Sequence, residues 1–185
     1  DNPICDTERE MVLHGANFMG YYITEVCDSL KKDIAQASTW IHALQSNMYH
    51  PRKSNGLPTN IMEKTNTYSG FRPLQLLACS ITVENRKLAQ NHQAFMLPTE
   101  GDNQDVNSLG THSAFDFKTS VDNLENLCCI LYLSAAQAWD YREQQYMSEQ
   151  SRRYYSAIRA EIPKREEDKL FKPDLDIVKA LIKKV

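Results

Sequence analysis

No dense cluster of basic residues, no Cys-x-x-Cys or Cys/His ligand spacing and no apolar run of membrane-spanning length occurs in these 185 residues. Each absence excludes something. The lysines and arginines are scattered and the net charge is −3, so neither nucleic acid nor an anionic membrane is expected as a partner. The densest basic pair, Lys183-Lys184, falls at a helix end, where positive charge suits the macrodipole. Five cysteines (Cys5, Cys27, Cys79, Cys128 and Cys129) form an odd set at irregular spacing. That argues against zinc and for reduced thiols in a cytoplasm. The five histidines, His14, His42, His50, His92 and His112, offer no pair spaced as ligands on one helical face, so no metal is expected. Phosphate loops, dinucleotide-binding glycine motifs and nucleophile elbows are missing, as are a signal peptide and internal repeats. The chain opens on Asp1, with no Met.

What is present is ordinary in amount, 42% hydrophobic and 24% charged, and ordered with a helical period. Val26, Leu30, Ile34, Ala37, Ile41 and Leu44 recur in steps of three and four, which predicts a helix over 18–48 with Asn17 as a possible N-cap. His50-Pro51 ends it, and a turn-rich loop follows. A second helix is predicted from near Tyr68, with Pro73 in its first turns and Leu74, Leu77, Ala78, Ile81, Leu88 and Ala89 as its apolar positions. A third is predicted over 113–149, on the stripe Val121, Leu124, Leu127, Cys128, Leu131, Ala135 and Ala138. Small residues at Ser134, Ala135, Ala136 and Ala138 would let a neighbour approach closely. Shorter helices over 152–161 and 173–184 close the chain, and Met11–Leu13 reads as a brief extended piece. Helices of this length need neighbours along their whole span, so the fold class is all-α, a bundle of long helices. Residues 1–185 read as a single unit with no linker.

Between the second and third helices lies a segment that a helical core has no use for: Pro98-Thr-Glu-Gly-Asp-Asn-Gln-Asp-Val-Asn-Ser-Leu-Gly110. Its composition admits two readings. Glu100, Asp102 and Asp105 are ordinary residues for a solvated loop, and they lack the alternation and distal Glu of a calcium loop. Asn103, Gln104 and Asn107, set beside Val106 and Leu109, also allow a segment that folds inward. A carboxylate held there could bind an amine or move a proton.

The same residues carry a resemblance. Asn103-Gln104-Asp105-Val106-Asn107-Ser108-Leu109-Gly110 closely resembles a stretch of phenylalanine ammonia-lyases, members of the aromatic amino acid lyase family with histidine and tyrosine ammonia-lyases and the related aminomutases. Three more segments match in order. Asp1-Asn2-Pro3 is similar to the family's Asp-Asn-Pro. His14-Gly15-Ala16-Asn17-Phe18 is similar to its His-Gly-Gly-Asn-Phe, with Ala16 for the second glycine. Ser54-Asn55-Gly56-Leu57-Pro58 is similar to its Ser-x-Gly-Leu-Pro, with Thr59 in place of a further proline. Trp139-Asp140-Tyr141-Arg142 echoes a family Asp-Leu-Arg.

The resemblance implies the C-terminal part of the ammonia-lyase fold, a long-helix bundle assembled as a homotetramer. It implies covalent catalysis by a methylidene-imidazolone made from an Ala-Ser-Gly tripeptide, which eliminates ammonia from an aromatic amino acid to give an arylacrylate. Carried over by position, Glu100 and Gln104 would be the catalytic residues of this chain. Glu100 would stand by the substrate amine with Gln104 in the same polar network, while Phe18 and Asn103 would contact substrate. Histidine lyases carry an acid where this chain has Gln104, so phenylalanine or tyrosine is the implied substrate. An aminomutase, a histidine ammonia-lyase and a non-catalytic scaffold are the alternatives. No Ala-Ser-Gly, no upstream tyrosine loop and no Gln-x-x-Tyr-x-x-Arg segment is present, and in the family all of these precede the Asp-Asn-Pro. The expectation is therefore a C-terminal portion, cleaved or separately encoded, that needs the upstream part as a partner and is inactive alone.

Overall fold

The computed structural model describes residues 3–15, 19–102, 104 and 106–183. A two-stranded antiparallel hairpin comes first: β1 (Ile4–Asp6) pairs with β2 (Met11–Leu13), Cys5 opposite Val12. Five α-helices follow: α1 (Tyr21–Met48), α2 (Arg72–Leu88), α3 (Gly110–Trp139), α4 (Glu149–Glu161) and α5 (Lys172–Ile182). The all-α expectation holds, with the extended piece at Met11–Leu13 finding its partner in Ile4–Asp6. α3 is the central element, packed against α1, α2, α4 and α5.

Local chemistry explains most helix ends. α1 contains neither Gly nor Pro across its length and starts after Gly20, whose φ of +63° only glycine adopts freely. Helix α1 thus begins at Tyr21 with Gly20 as its cap, later than the expected start; Asn17 and Phe18 themselves lie outside the described residues. α2 and α5 each carry a proline in the first turn, where its missing N–H costs least. α4 is capped by Ser148, whose hydroxyl accepts from the Ser151 N–H at 3.1 Å. The third expected helix overran. α3 ends at Trp139, because Asp140 turns aside to the Arg159 guanidinium at 2.7 Å and the Tyr155 hydroxyl at 2.8 Å on α4.

The apolar core is made by Ile41 of α1, Leu74 and Ala78 of α2, Leu127, Ile130 and Leu133 of α3, Ile158 of α4 and Val178 of α5. Each fully buried side chain of this kind contributes roughly 1.5–3 kcal/mol. Phe71 lies edge-on to Tyr49 and to Phe171, with ring centres 6.3 and 5.2 Å apart. The loop from 49 to 71 is laid over this core. Arg142 donates to the Ser54 carbonyl and, at 2.8 Å, to that of Asn55, so two of the segments singled out in the sequence meet here.

The expected helix faces need correction. Of the α1 series only Ile34 and Ile41 are buried, whereas Val26, Leu30 and Leu44 are exposed. The face of α1 turned to α2 and α3 holds Thr24, Asp28, Lys31, Ser38 and Gln45 instead. On α3 only Leu127 and Ala138 of the expected stripe are buried, joined by Cys129, Ile130, Leu133, Ser134, Ala136 and Gln137. A helix with neighbours on several sides buries more than one stripe, so a single ridge cannot describe it.

Gly70 is the tightest glycine. At φ +57°, a Cβ there would lie 2.5 Å from Met62 Cβ and 2.9 Å from the Asn60 carbonyl. Gly70→Ala is therefore expected to cost about 1–3 kcal/mol, read as a lower urea midpoint at constant m-value. An unchanged midpoint would mean that Met62 yields freely.

Candidate active site

The segment from Pro98 to Gly110 leaves a short 3-10 turn (His92–Phe95) and enters α3. It begins as a tight reversal. Thr99 and Gln104 form an antiparallel bridge, N–H to carbonyl at 2.9 and 3.2 Å in the two directions. Between them Glu100, Gly101 and Asp102 lie at φ +56°, +64° and +67°. Only Gly101 adopts this region at no cost; the two acids each store about 1 kcal/mol or more of strain. The Thr99 hydroxyl donates to Gln104 Oε1 at 3.2 Å, and Asn107 donates to the Leu97 carbonyl, closing a second layer beneath the bridge.

Glu100 and Gln104 are both exposed on this turn. Gln104 faces a cavity of about 310 Å³ shared with Met19, Val106, Asn107, Ser108 and His112; Glu100 is not among its lining residues. Two of the four residues singled out in the sequence are thus placed on one turn, Gln104 in its bridge and Glu100 between the bridged residues. The other two, Phe18 and Asn103, lie outside the described residues.

Between the flanks of this segment, at His92 and Ser113, sits a charged cluster that sequence reading missed. Asp28 of α1 is buried, and its Oδ1 accepts from Ser113 Oγ at 2.6 Å and from Lys31 Nζ at 2.8 Å. Its Oδ2 accepts the His92 backbone N–H at 2.8 Å. Lys31, fully buried, has acceptors for all three of its protons: Asp28 Oδ1, His92 Nδ1 at 2.7 Å and the Gln90 carbonyl at 3.2 Å. The same Nδ1 also lies 3.1 Å from Asp28 Oδ1, and Nε2 reaches Asp116 Oδ2 at 3.1 Å. Two carboxylates and an imidazole could suggest a metal set, but the Lys31 ammonium supplies the positive charge here. Among the described residues no group of three His, Cys, Asp or Glu could hold a metal ion, and no helix is long and apolar enough to cross a membrane.

Burial alone would push the Asp28 carboxyl up. The hydrogen bonds from Lys31, Ser113 and the His92 amide outweigh that and hold it at about 2, against an ordinary 3.8. The signal that could have found this cluster was faint: Asp28 and Lys31 one helical turn apart, with neighbours that are themselves half polar.

A family model described as aromatic amino acid lyase matches residues 1–160. The chain belongs to the aromatic amino acid lyase family. A hal-like protein of Dictyostelium discoideum is 32% identical over 96% of this chain and 34% of its own length. The histidine ammonia-lyase of Natranaerobius thermophilus is 28% identical over 98% of the chain and 36% of its own length. In structure, the phenylalanine aminomutase of Pantoea agglomerans superposes with a TM-score of 0.88 at 27% identity, over 98% of this chain and 36% of that one. This aromatic amino acid lyase chain therefore spans about a third of the length of the curated relatives it matches, and its helices have the ammonia-lyase fold of their C-terminal part.

The depressed Asp28 value carries a sign. Its stabilising contribution is complete above the unfolded carboxyl value, about 4, and is lost as pH falls from there through 2. Asp28→Asn, which leaves Lys31 buried without its counter-ion, is expected to cost about 3–5 kcal/mol at neutral pH. It should also flatten the loss of stability between about pH 4 and 2, both measured by urea unfolding across pH.

Proposed function

We propose that this chain supplies one wall of the active site of a carbon–nitrogen lyase that eliminates ammonia from L-phenylalanine or L-tyrosine to give an arylacrylate. The observation that carries the reading is the turn itself: an exposed carboxylate, Glu100, and an exposed amide, Gln104, held on a strained but doubly tied reversal. Preorganised polar groups of this kind suit recognition of a charged amine. In the elimination the Cα–N bond and a β C–H bond break and a C=C bond forms. Glu100 accepts hydrogen bonds from the substrate ammonium, a charge-assisted contact stronger than a neutral one. Gln104 adds a neutral amide, which places no second negative charge beside Glu100.

The donor set fits one side of a methylidene-imidazolone site, since it offers an amine-binding carboxylate and amide and none of the tripeptide that builds the group. That group, formed from an Ala-Ser-Gly in an upstream part of the protein, would supply the electrophile that makes the amine a workable leaving group. The upstream part and further copies in a homotetramer are the proposed partners. They fit the apolar residues that α1 leaves exposed, Ile23, Val26, Leu30, Trp40 and Leu44, since exposed apolar area of this kind marks a contact surface.

The test uses this chain assembled with its upstream part. L-Phenylalanine, L-tyrosine and L-histidine are offered separately, with ultraviolet absorbance reading the unsaturated acid and chromatography reading any β-amino acid. An arylacrylate from phenylalanine or tyrosine supports the reading, and turnover of histidine alone replaces it with the reading favoured by the histidine ammonia-lyase of Natranaerobius thermophilus. A β-amino acid product makes the protein an aminomutase, as the Pantoea agglomerans protein is named. No product with any of them leaves a scaffold. The 185-residue chain by itself is expected to form no arylacrylate. Glu100→Gln is expected to lower kcat by about 100-fold or more; unaltered turnover removes Glu100 from the site.

A further inference from the structure

We propose that His92 is a positioning residue: its imidazole, set between Lys31 and Asp116, fixes where the Glu100–Gln104 turn stands relative to α1. The proposal rests on the reading of that turn given under Proposed function and adds a residue that touches neither the turn nor substrate.

The turn hangs between two ends. Its C-terminal end is the start of α3, and this is held several times over. Thr24 of α1 donates to the Ser108 carbonyl at 2.8 Å, Ser113 donates to Asp28 at 2.6 Å, and Gly110 lies close enough to α1 that a Cβ would stand 3.4 Å from Thr24 Oγ1. The N-terminal end has less. α2 stops at Leu88, and from there to the bridge at Thr99 the backbone holds only a four-residue 3-10 turn. What ties this stretch to α1 is the cluster: His92 N–H on Asp28 Oδ2, Lys31 Nζ on the Gln90 carbonyl, and the His92 ring between Lys31 Nζ and Asp116 Oδ2. Gln93 adds an exposed contact to Glu25 at 3.2 Å, and the Tyr21 hydroxyl of α1 donates to Met96 Sδ at 3.7 Å. Both ends of the turn therefore close on one carboxylate. Asp28 takes Ser113 from the far end and His92 from the near end, and the imidazole is the only side chain of the near end that reaches α1 and α3 together.

The ring meets charged groups from two helices at once. Nδ1 lies 2.7 Å from Lys31 Nζ and 3.1 Å from Asp28 Oδ1 of α1, and Nε2 lies 3.1 Å from Asp116 Oδ2 of α3. Removing the ring takes a polar partner from Lys31, which is wholly buried, and frees the chain behind it to move.

The experiment uses the assembled enzyme with wild type, His92→Ala, His92→Asn, Glu100→Gln and the His92→Ala/Glu100→Gln pair. His92→Ala should lower kcat/KM on the order of 10- to 100-fold through misplacement of the turn. His92→Asn, whose Oδ1 can accept from Lys31, should restore most of this. In the Glu100→Gln background His92→Ala should add less than about threefold, since residues that act as a unit are not additive. Activity of His92→Ala equal to wild type, effects that multiply in the pair, or no recovery in His92→Asn would each overturn the proposal. If wild type itself turns over no amino acid, the functional reading fails, and the positioning claim is then read by amide hydrogen exchange. Residues 97–109 should exchange faster in His92→Ala than in wild type; equal protection overturns it.

Discussion

A single buried carboxylate organises the region around the Glu100–Gln104 turn. Asp28 receives a hydroxyl from the first turn of α3, an ammonium from its own helix and a backbone N–H from the segment after α2. Three stretches of chain far apart in sequence are thereby held in one place. Burying a charged pair is a poor way to gain stability, since desolvation cancels much of the attraction. It is a good way to fix geometry, because any shift leaves a buried charge short of a partner. Lys31, with three protons and three acceptors, shows how completely the cluster is satisfied.

The same contrast divides the bundle along its length. Where α3 meets α4 and α5 the contacts are Leu127, Ile130, Leu133, Ile158 and Val178, an apolar core of usual kind. Towards the start of α3 the buried positions become Ser38, Thr82, Asn85, Ser113 and Ser120. Asn85 bridges there between Ser38 Oγ at 2.8 Å and Asn123 Nδ2 at 3.0 Å. Hydrogen bonds are directional and apolar contacts are not, so this half of the bundle allows fewer ways of sliding helix on helix. The turn carrying Glu100 and Gln104 is mounted on the half that slides least.

Helix existence was legible from period alone, since α1, α2 and α5 lie within a few residues of their expected spans. Helix faces were not. Val26, Leu30 and Leu44 kept a faultless helical period and are nonetheless exposed, because apolar period reports which side wants to be covered and does not say by which neighbour. The end of α3 was missed for a related reason: Asp140-Tyr141-Arg142 contains no breaker, and the stop is imposed by Arg159 from another helix. The turn stood out through its composition and its resemblance. The cluster between its flanks did not, because His92 lies 64 residues from Asp28 and a lysine within a helix is ordinarily taken as solvated.

Left-handed backbone at Glu100 and Asp102 shows what the clamp is for. A free loop would relax out of three successive positive φ angles. Here the Thr99–Gln104 bridge closes the turn, the Asn107 contact to Leu97 backs it, and the two flanks are drawn onto α1 through Asp28. The strain is small beside the contacts that would be lost in releasing it. A turn built this way presents its carboxylate and amide in one arrangement. Preorganisation of this sort contributes most where charge must be met by dipoles that do not need to turn. Both side chains stand exposed because the ties that hold the turn run mainly through its backbone and its flanks.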